Sequence, residues 1–504
     1  MHTPSSQPEN AVNILLVNPP TPDRAVWIRN QDRAGRRSRE GMLWPQVDLA
    51  QLAAMIYPPY SFRIIDANAE RMSWSAFERQ LQLSRPRYYV TQLATPSLEN
   101  DQHGVSLAKA QGAWTVAFGT HVSTLPTETL RSYPALDFVL VGEPELTLRD
   151  LVDTLEGRTR ERAELVVELF AGDSPASPRV LPLDLGGIPG LGWRKGEEVV
   201  VNPPRGLIRD LDRLPLPLHE ALPWKKYVMP LLPGPFTFVT TSRGCPAGCT
   251  FCVKHTVYGN TVRIRSPEKI IEELRKVATL GIRNIHFYAD LFTVDRVQVV
   301  DLCQRMIVEK LDFRWTANSR VDFVDEELLA LMKRAGCWLI DWGLENASEA
   351  VLRAVHKGIN RAEVEQALAW SHRAGIQNWG YFIIGLPGET EETIRETIVF
   401  SKRLPLEIAL FFLAAPYPGT PLYHQAIREG WLPAGGWEQV DMDGKTRLAY
   451  PHLSTARMQY WQRRAFLEWA LRPAPLGTFL KMLLAHPRTL RTAWGAGLEA
   501  LRWS

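Results

Sequence analysis

The chain has 504 residues, 45% hydrophobic and 22% charged, an ordinary globular composition long enough for two or three domains. Its 58 Lys+Arg nearly balance 55 Asp+Glu, and a formal net charge of +3 excludes the concentrated basic excess of a nucleic-acid binder. Five cysteines, an odd number with three clustered, do not describe a disulfide framework and indicate a reducing compartment and a metal site.

The first residues, MHTPSSQPENAVN, lack the charged start and apolar run of a secretory signal. The longest apolar run, IALFFLAAP at 408–416, is about half the ~18 residues of a membrane span. The expectation is a cytoplasmic protein, peripheral to a membrane at most. Seventeen tryptophans suggest aromatic walls around a large apolar ligand.

From the N-terminus, NILLVNPP (13–20), FRIIDANAE (62–70), YYVTQLATPS (88–97), TVAFGTHVS (115–123) and DFVLVGEPE (137–145) are apolar runs ending in small or polar residues. Helical patterns such as SWSAFERQLQL (73–83) separate them, so a doubly wound parallel sheet is expected over 1–155. Ligands of such sheets sit beyond the strand carboxyl ends. The residues there are Thr95, Pro96 and Ser97, then Gly119, Thr120 and His121, then Gly142 and Glu143. The loop at 20–45 carries arginines 24, 29, 33, 36, 37 and 39 with Trp27 and Trp44, and reads either as a solvated loop or as a clamp for substrate carboxylates or phosphates. Residues 156–235 read as a linker, with a hairpin at 188–205 and the Pro-rich LPLPLHEALPW at 214–224.

Alternation resumes over 236–430 with TFVTTSRG (237–244), NIHFYAD (284–290), FRWTANSR (313–320), WLIDWGLEN (338–346), WGYFIIGLPGE (379–389) and IALFFLAAPYPG (408–419). SPEKIIEELRKVATLG (266–281) is one intervening helix, with Ser266 as N-cap, Pro267 at its first position and Gly281 as its stop. Six strand–helix repeats predict a barrel or part of one, with the site at the strand carboxyl ends. Residues 385–389, GLPGE, read as a tight strand-to-helix turn, with Glu389 near the helix start where negative charge is favoured. Cys303 and Cys337 read as small buried core residues. Residues 431–504 are expected to be helical; their last part, with Lys481, Arg488, Arg491, Arg502, Trp494 and Trp503, either lies on a membrane surface or packs over the barrel.

The end of the first repeat is TSRGCPAGCTFCVKH (241–255), which spaces Cys245, Cys249 and Cys252 as C-x3-C-x2-C. Three thiolates can hold three corners of a [4Fe–4S] cluster and leave the fourth iron open. Zinc is the alternative, with His255 completing a Cys3His set. Spacing alone leaves the two even; the position at the end of a barrel strand is unusual for a zinc knuckle.

This stretch, with Phe251 before the third cysteine, resembles the radical SAM superfamily, and the resemblance runs through 237–425, including HFYADLFT, GLEN, FIIGLPGET and PYPGTPLY. It implies a [4Fe–4S] cluster on the three cysteines and S-adenosylmethionine on the open iron, cleaved to a 5′-deoxyadenosyl radical. It further implies that Phe251 packs on the adenine and that Asp290 meets the methionine amino group, although Tyr288-Ala289-Asp290 replaces the usual Gly-Gly-Glu-like run. Arg320 and Ser319 would meet the methionine carboxylate and Glu345 the ribose, with a structural ion pair as the plainer reading of Arg320 and Glu345. Ile383 and Ile384 either wall the adenine or pack in the core.

A doubly wound domain ahead of such a barrel resembles the cobalamin-binding domain of cobalamin-dependent radical SAM enzymes. The Asp-x-His-x-x-Gly signature of many cobalamin proteins is replaced here by NPPTPDRAVW (18–27), a departure that this class shares. Thr95, Ser97, Gly119, Thr120, His121 and Glu143 would surround the cobalamin. The layout is similar to the anaerobic magnesium-protoporphyrin monomethyl ester cyclases and to the bacteriochlorophyll and hopanoid methylases. That implies an enzyme working on a large hydrophobic metabolite, by methyl transfer or oxidative ring closure, with flavodoxin or ferredoxin as electron donor. A non-catalytic cobalamin or redox sensor is the remote alternative. A methylthiotransferase would bring further cysteines to the N-terminal domain, and residues 1–244 contain none.

Overall fold

A computed structural model describes residues 13–21, 26–29, 36–38, 42–58, 60–158, 184–227, 229, 234–432 and 446–485. The chain divides into two compact units, with the main boundary between Lys226 and Tyr227.

The first unit is built on a seven-stranded sheet of β1 (Asn13–Asn18), β2 (Ser61–Asp66), β3 (Tyr88–Gln92), β4 (Trp114–Phe118), β5 (Phe138–Leu140), β6 (Leu191–Lys195) and β7 (Glu198–Val201). The order is β2-β1-β3-β4-β5-β6-β7. The first five strands are parallel, and β6 and β7 join antiparallel. Ile14, Leu15, Leu16 and Val17 are all fully buried, as a central strand covered on both faces requires. Ile14 and Leu16 belong to one core with Val90, Val116 and Phe118, closed by Leu49, Leu52 and Ala53 of helix Val47–Ile56 and Leu148, Leu151 and Val152 of helix Pro144–Leu155. Strand order reverses between β1 and β3, so the crevice beyond their carboxyl ends is the topological switch point.

The hairpin at 188–205 forms, but the linker reading of this region needs correcting. Phe138 pairs with Trp193 and Leu140 with Leu191, so the hairpin extends the first sheet and covers an edge that β5 would otherwise expose. Ile208, Leu211 and Leu214 then pack on Met55 and Leu146, which leaves this stretch part of the first unit's core.

The second unit holds six parallel strands in chain order: β8 (Phe236–Thr240), β9 (Asn284–Tyr288), β10 (Arg314–Ser319), β11 (Cys337–Glu345), β12 (Gln377–Ile384) and β13 (Ile408–Leu413). Helices Pro267–Thr279, Arg296–Val308, Glu326–Arg334, Arg361–Arg373 and Glu391–Arg403 make the crossovers. The Ser266 hydroxyl accepts from Lys269 N at 3.1 Å, and Asn360 and Thr390 start their helices with capping boxes. Along β12, Asn378, Gly380, Phe382 and Ile384 are buried, whereas Trp379, Tyr381 and Ile383 are half-buried on the opposite face. Ile383 and Ile384 therefore face opposite ways, and Ile384 is core.

Three of the seventeen tryptophans are framework. Trp315 and Trp342 are fully buried, their indole N–H groups donating to the Ala335 carbonyl (2.7 Å) and the Asn378 amide oxygen (2.9 Å). Trp461, on helix Thr455–Ala470, is equally buried beneath the Arg395 guanidinium. Residues 486–504 and arginines 24, 33 and 39 lie outside the described residues. Cys303 and Cys337 are buried, and burial raises both thiols.

Candidate functional site

The cysteine loop leaves β8 through a narrow neck, in which Ser242–Arg243 pairs antiparallel with Arg263–Ile264. Gly244 sits between this ribbon and Cys245 with φ +88°; a Cβ there would lie 2.0 Å from the Thr261 carbonyl oxygen. Its N–H donates to Asp290 Oδ2 at 2.9 Å, so the loop after β9 holds the neck of the loop after β8. Further on, Thr250 N donates to the Val355 carbonyl (3.1 Å) and accepts at its own carbonyl from Leu422 N (3.0 Å). Cys252 N closes a turn on the Cys249 carbonyl at 3.2 Å, and the Lys254 ammonium donates to the Cys245 carbonyl. Cys245 and Cys249 are buried, while Cys252 and Phe251 are half-buried. His255 turns its Nδ1 to the Gly259 carbonyl at 3.1 Å.

Two cations stand beside Cys249. Arg320, which follows β10, places Nη1 3.8 Å from Cys249 Sγ. Its Nε and Nη2 grip Asp322 at 3.0 and 2.8 Å, and Nη2 also donates to the Lys357 carbonyl at 2.7 Å. The fork expected to take a carboxylate is therefore occupied by Asp322. Lys357 pairs with Glu345 Oε1 at 2.8 Å, with both side chains buried. Glu345 adopts φ +62° where the β11–β12 register shifts. Burial pushes the Cys249 thiol up, and the Lys357 and Arg320 charges pull it back towards ionisation. Ser319 is buried and shares a 2.6 Å hydrogen bond with the Thr293 hydroxyl. Lys357, Asp322 and Lys254 carry no local sequence signal, and only the fold brings them to the loop.

Glu389 lies beside the helix start, as expected, directly before the N-cap Thr390. Its carboxylate turns inward, fully buried, to accept from Gly385 N and the Asn346 amide. Burial raises its pKa to about 7.

In the first unit, five of the six expected cobalamin contacts lie at or beside the carboxyl ends of β3 and β4. Thr95 Oγ1 and His121 Nδ1 are 3.0 Å apart and buried, and burial lowers the imidazole pKa to about 4. Thr120 is buried at the start of a short helix whose Gly119 has φ +114°; a Cβ there would sit 3.0 Å from the Leu93 carbonyl. Ser97 donates to Asp101 Oδ2 at 2.6 Å. Glu143 stands apart from this group, following β5, and accepts from Ile208 N at 2.8 Å, a tie to the segment after the hairpin. Arg29, from the arginine-rich loop, is fully buried: it clamps Asp101 at 3.0 and 2.6 Å and reaches Asn18 at 3.0 Å. That overturns a substrate clamp for Arg29. Sequence reading missed Gln92 at the end of β3, which is 1% exposed with neither amide atom hydrogen-bonded. Gln92 stands at the topological switch point, beyond which the ligands of such sheets sit.

A doubly wound unit followed by a six-stranded parallel half-barrel that opens on a three-cysteine loop is the fold of cobalamin-dependent radical SAM enzymes. Residues 239–400 match the model of the radical SAM superfamily. An uncharacterized methyltransferase of Pyrococcus horikoshii is 33% identical over 471 residues, 92% of this chain and 94% of its own length. The anaerobic magnesium-protoporphyrin IX monomethyl ester cyclase of Cereibacter sphaeroides is 28% identical over 80% of this chain, which spans 63% of that enzyme. Among solved structures, the radical S-adenosylmethionine methyltransferase TsrM of Kitasatospora setae, with cobalamin and a [4Fe-4S] cluster bound, shares the fold at a TM-score of 0.63. Its identity is 17%, over 84% of this chain and 80% of that one. The chain belongs to the radical SAM superfamily.

Proposed function

We propose that this chain is a cobalamin-dependent radical SAM enzyme that methylates an unactivated carbon of a large, hydrophobic small molecule. The observation that carries it is the donor set: three thiols on one loop at a barrel-strand end, two of them buried, with Arg320 and Lys357 beside Cys249 to offset thiolate charge. That set fits an iron–sulfur cluster. In the first unit the orphan Gln92 amide at the carboxyl end of β3 fits a cobalamin. When bound, the cluster supplies the electron that cleaves S-adenosylmethionine to a 5′-deoxyadenosyl radical, and cobalamin carries the methyl group.

The chain's own residues do the rest. Cys245, Cys249 and Cys252 hold the cluster, and Asp290, through Gly244 N, fixes the loop's neck. Phe251, Asp290, Ser319 and Glu345 surround the S-adenosylmethionine, with Lys357 orienting the Glu345 carboxylate. Thr95, Thr120 and His121 line the cobalamin crevice, the last as a neutral imidazole at physiological pH. A flavodoxin or ferredoxin delivers the electron. Among the described residues no helix is long and apolar enough to cross a membrane; contact with a membrane surface through the C-terminal region remains part of the proposal.

Oxidative ring closure is the second reading, supported by the similarity to the magnesium-protoporphyrin cyclase. Anaerobic reconstitution with iron, sulfide and hydroxocobalamin, then turnover with methyl-labelled S-adenosylmethionine on tetrapyrrole and hopanoid candidates, separates them. Label in product, with 5′-deoxyadenosine and S-adenosylhomocysteine both formed, establishes the methylase. 5′-Deoxyadenosine with an oxidised, unlabelled product establishes the cyclase, and no 5′-deoxyadenosine under any condition refutes both.

A further inference from the structure

We infer that Arg320 is a positioning residue that sets the reduction potential of the cluster through Cys249, an inference that rests on the cluster assignment proposed above. A guanidinium has five N–H donors in a fixed plane and never loses its charge in a protein. Here Nε and Nη2 are spent on Asp322 and on the Lys357 carbonyl, three hydrogen bonds between 2.7 and 3.0 Å. The edge left over, Nη1, points at Cys249 Sγ from 3.8 Å. The guanidinium cannot swing to another partner without breaking those bonds.

The electrostatics of this arrangement have a sign. Reducing a cluster adds negative charge, and N–H groups and positive charge at a ligating sulfur stabilise the reduced form and raise the potential. Asp322 carries the opposite charge, but it lies on the far edge of the guanidinium and its side chain is 24% exposed, against 10% for Arg320. Water screens Asp322 more than it screens Arg320. Lys357, the other cation near Cys249, is paired directly with the buried Glu345, whose negative charge opposes it at the sulfur.

The test uses the full-length protein, reconstituted with iron and sulfide and without S-adenosylmethionine, poised with redox mediators at the wild-type midpoint. The reduced cluster is counted by electron paramagnetic resonance. Arg320→Gln, at wild-type iron content, is expected to lower the reduced-to-oxidised ratio about tenfold, equivalent to ~59 mV for a one-electron couple. Arg320→Lys, which keeps the charge, is expected to recover most of that ratio. An unchanged ratio in Arg320→Gln at full iron content overturns the inference and leaves the cluster assignment standing, whether or not S-adenosylmethionine binding weakens. Wild-type protein that takes up no iron overturns the assignment beneath it. If Arg320→Gln does not load, pulsed resonance on wild-type protein labelled with 15N-arginine decides. Coupling between the reduced cluster and one guanidinium nitrogen is expected, and its absence overturns the inference.

Discussion

Replacing Gly244 with alanine is the sharpest single perturbation of the site, because the residue bears no functional group. Two costs follow from its geometry. At φ +88° an L-residue pays about 1–2 kcal/mol for left-handed backbone. The new methyl would also sit 2.0 Å from the Thr261 carbonyl oxygen, so the ribbon has to open by about 1 Å before the contact is tolerable. An opening of that size breaks the 2.9 Å bond from Gly244 N to Asp290, a charge-assisted bond of roughly 1.5–3 kcal/mol. The sum, about 3 kcal/mol or more, falls on the residue next to Cys245, in a loop that must place three sulfurs within about 0.5 Å. Gly244→Ala should therefore fold, keep its far-ultraviolet circular dichroism, and load little iron on reconstitution. Gly248→Ala is the control: it lies between the first two cysteines, and its added Cβ meets nothing within 4 Å. It should load as wild type does. Full iron content and normal 5′-deoxyadenosine formation in Gly244→Ala would refute the reasoning.

Two buried titratable groups give opposite pH dependences. His121, at about 4 in the folded state against ~6.5 unfolded, leaves the unfolded chain binding the extra proton between those values. Its contribution is full above pH 6.5 and lost as pH falls towards 4, about 3 kcal/mol at most; His121→Gln should flatten the fall in melting temperature over that window. A slope equal to that of wild type would argue that His121 is protonated in the fold. Glu389 runs the other way: raised to about 7 by burial, it binds its proton more tightly when folded. Stability from this group is present below its unfolded pKa, near 4.5, and lost as pH rises to 7. Glu389→Gln should hence lose less stability than wild type between pH 5 and 8 in a calorimetric series, and a steeper loss would contradict the assignment.

Local physics made much of this molecule legible before any coordinates. Ser266 caps its helix because a hydroxyl ahead of Pro267 satisfies a free helix-end N–H, and the alternation of β12 follows from a period of two. The cysteine spacing located the site for the same reason: its ligands share one loop. What stayed hidden depends on contacts distant in sequence. The hairpin at 188–205 was visible, but its pairing with β5 joins Phe138 to Trp193 across a long separation. Arg29 in a run of arginines looks like a solvated charge until Asp101 arrives to meet it. Tryptophan composition does not assign individual residues, because a large aromatic surface is buried equally well by a core and by a ligand. Trp315 and Trp342 went to the core. Glu389 was placed beside its helix start, but the inward turn of its carboxylate onto Gly385 N depends on the folded turn and was not legible.

The Glu345–Lys357 pair shows why buried charge at a strand end is better explained by orientation than by stability. Taking both ions out of water costs nearly what their attraction returns, so the pair adds little to the fold. Glu345 also holds a positive φ, a strain of about 1–3 kcal/mol that persists only where the surroundings impose it. Lys357→Met should strand the carboxylate and cost about 3–5 kcal/mol, seen as a lower melting temperature. Adding Glu345→Leu should return most of that stability, since two apolar groups replace the ions, yet leave S-adenosylmethionine cleavage slow at normal iron content. If the double variant cleaved S-adenosylmethionine at the wild-type rate, the carboxylate would have no part in the site, and the strain at Glu345 would belong to the fold alone.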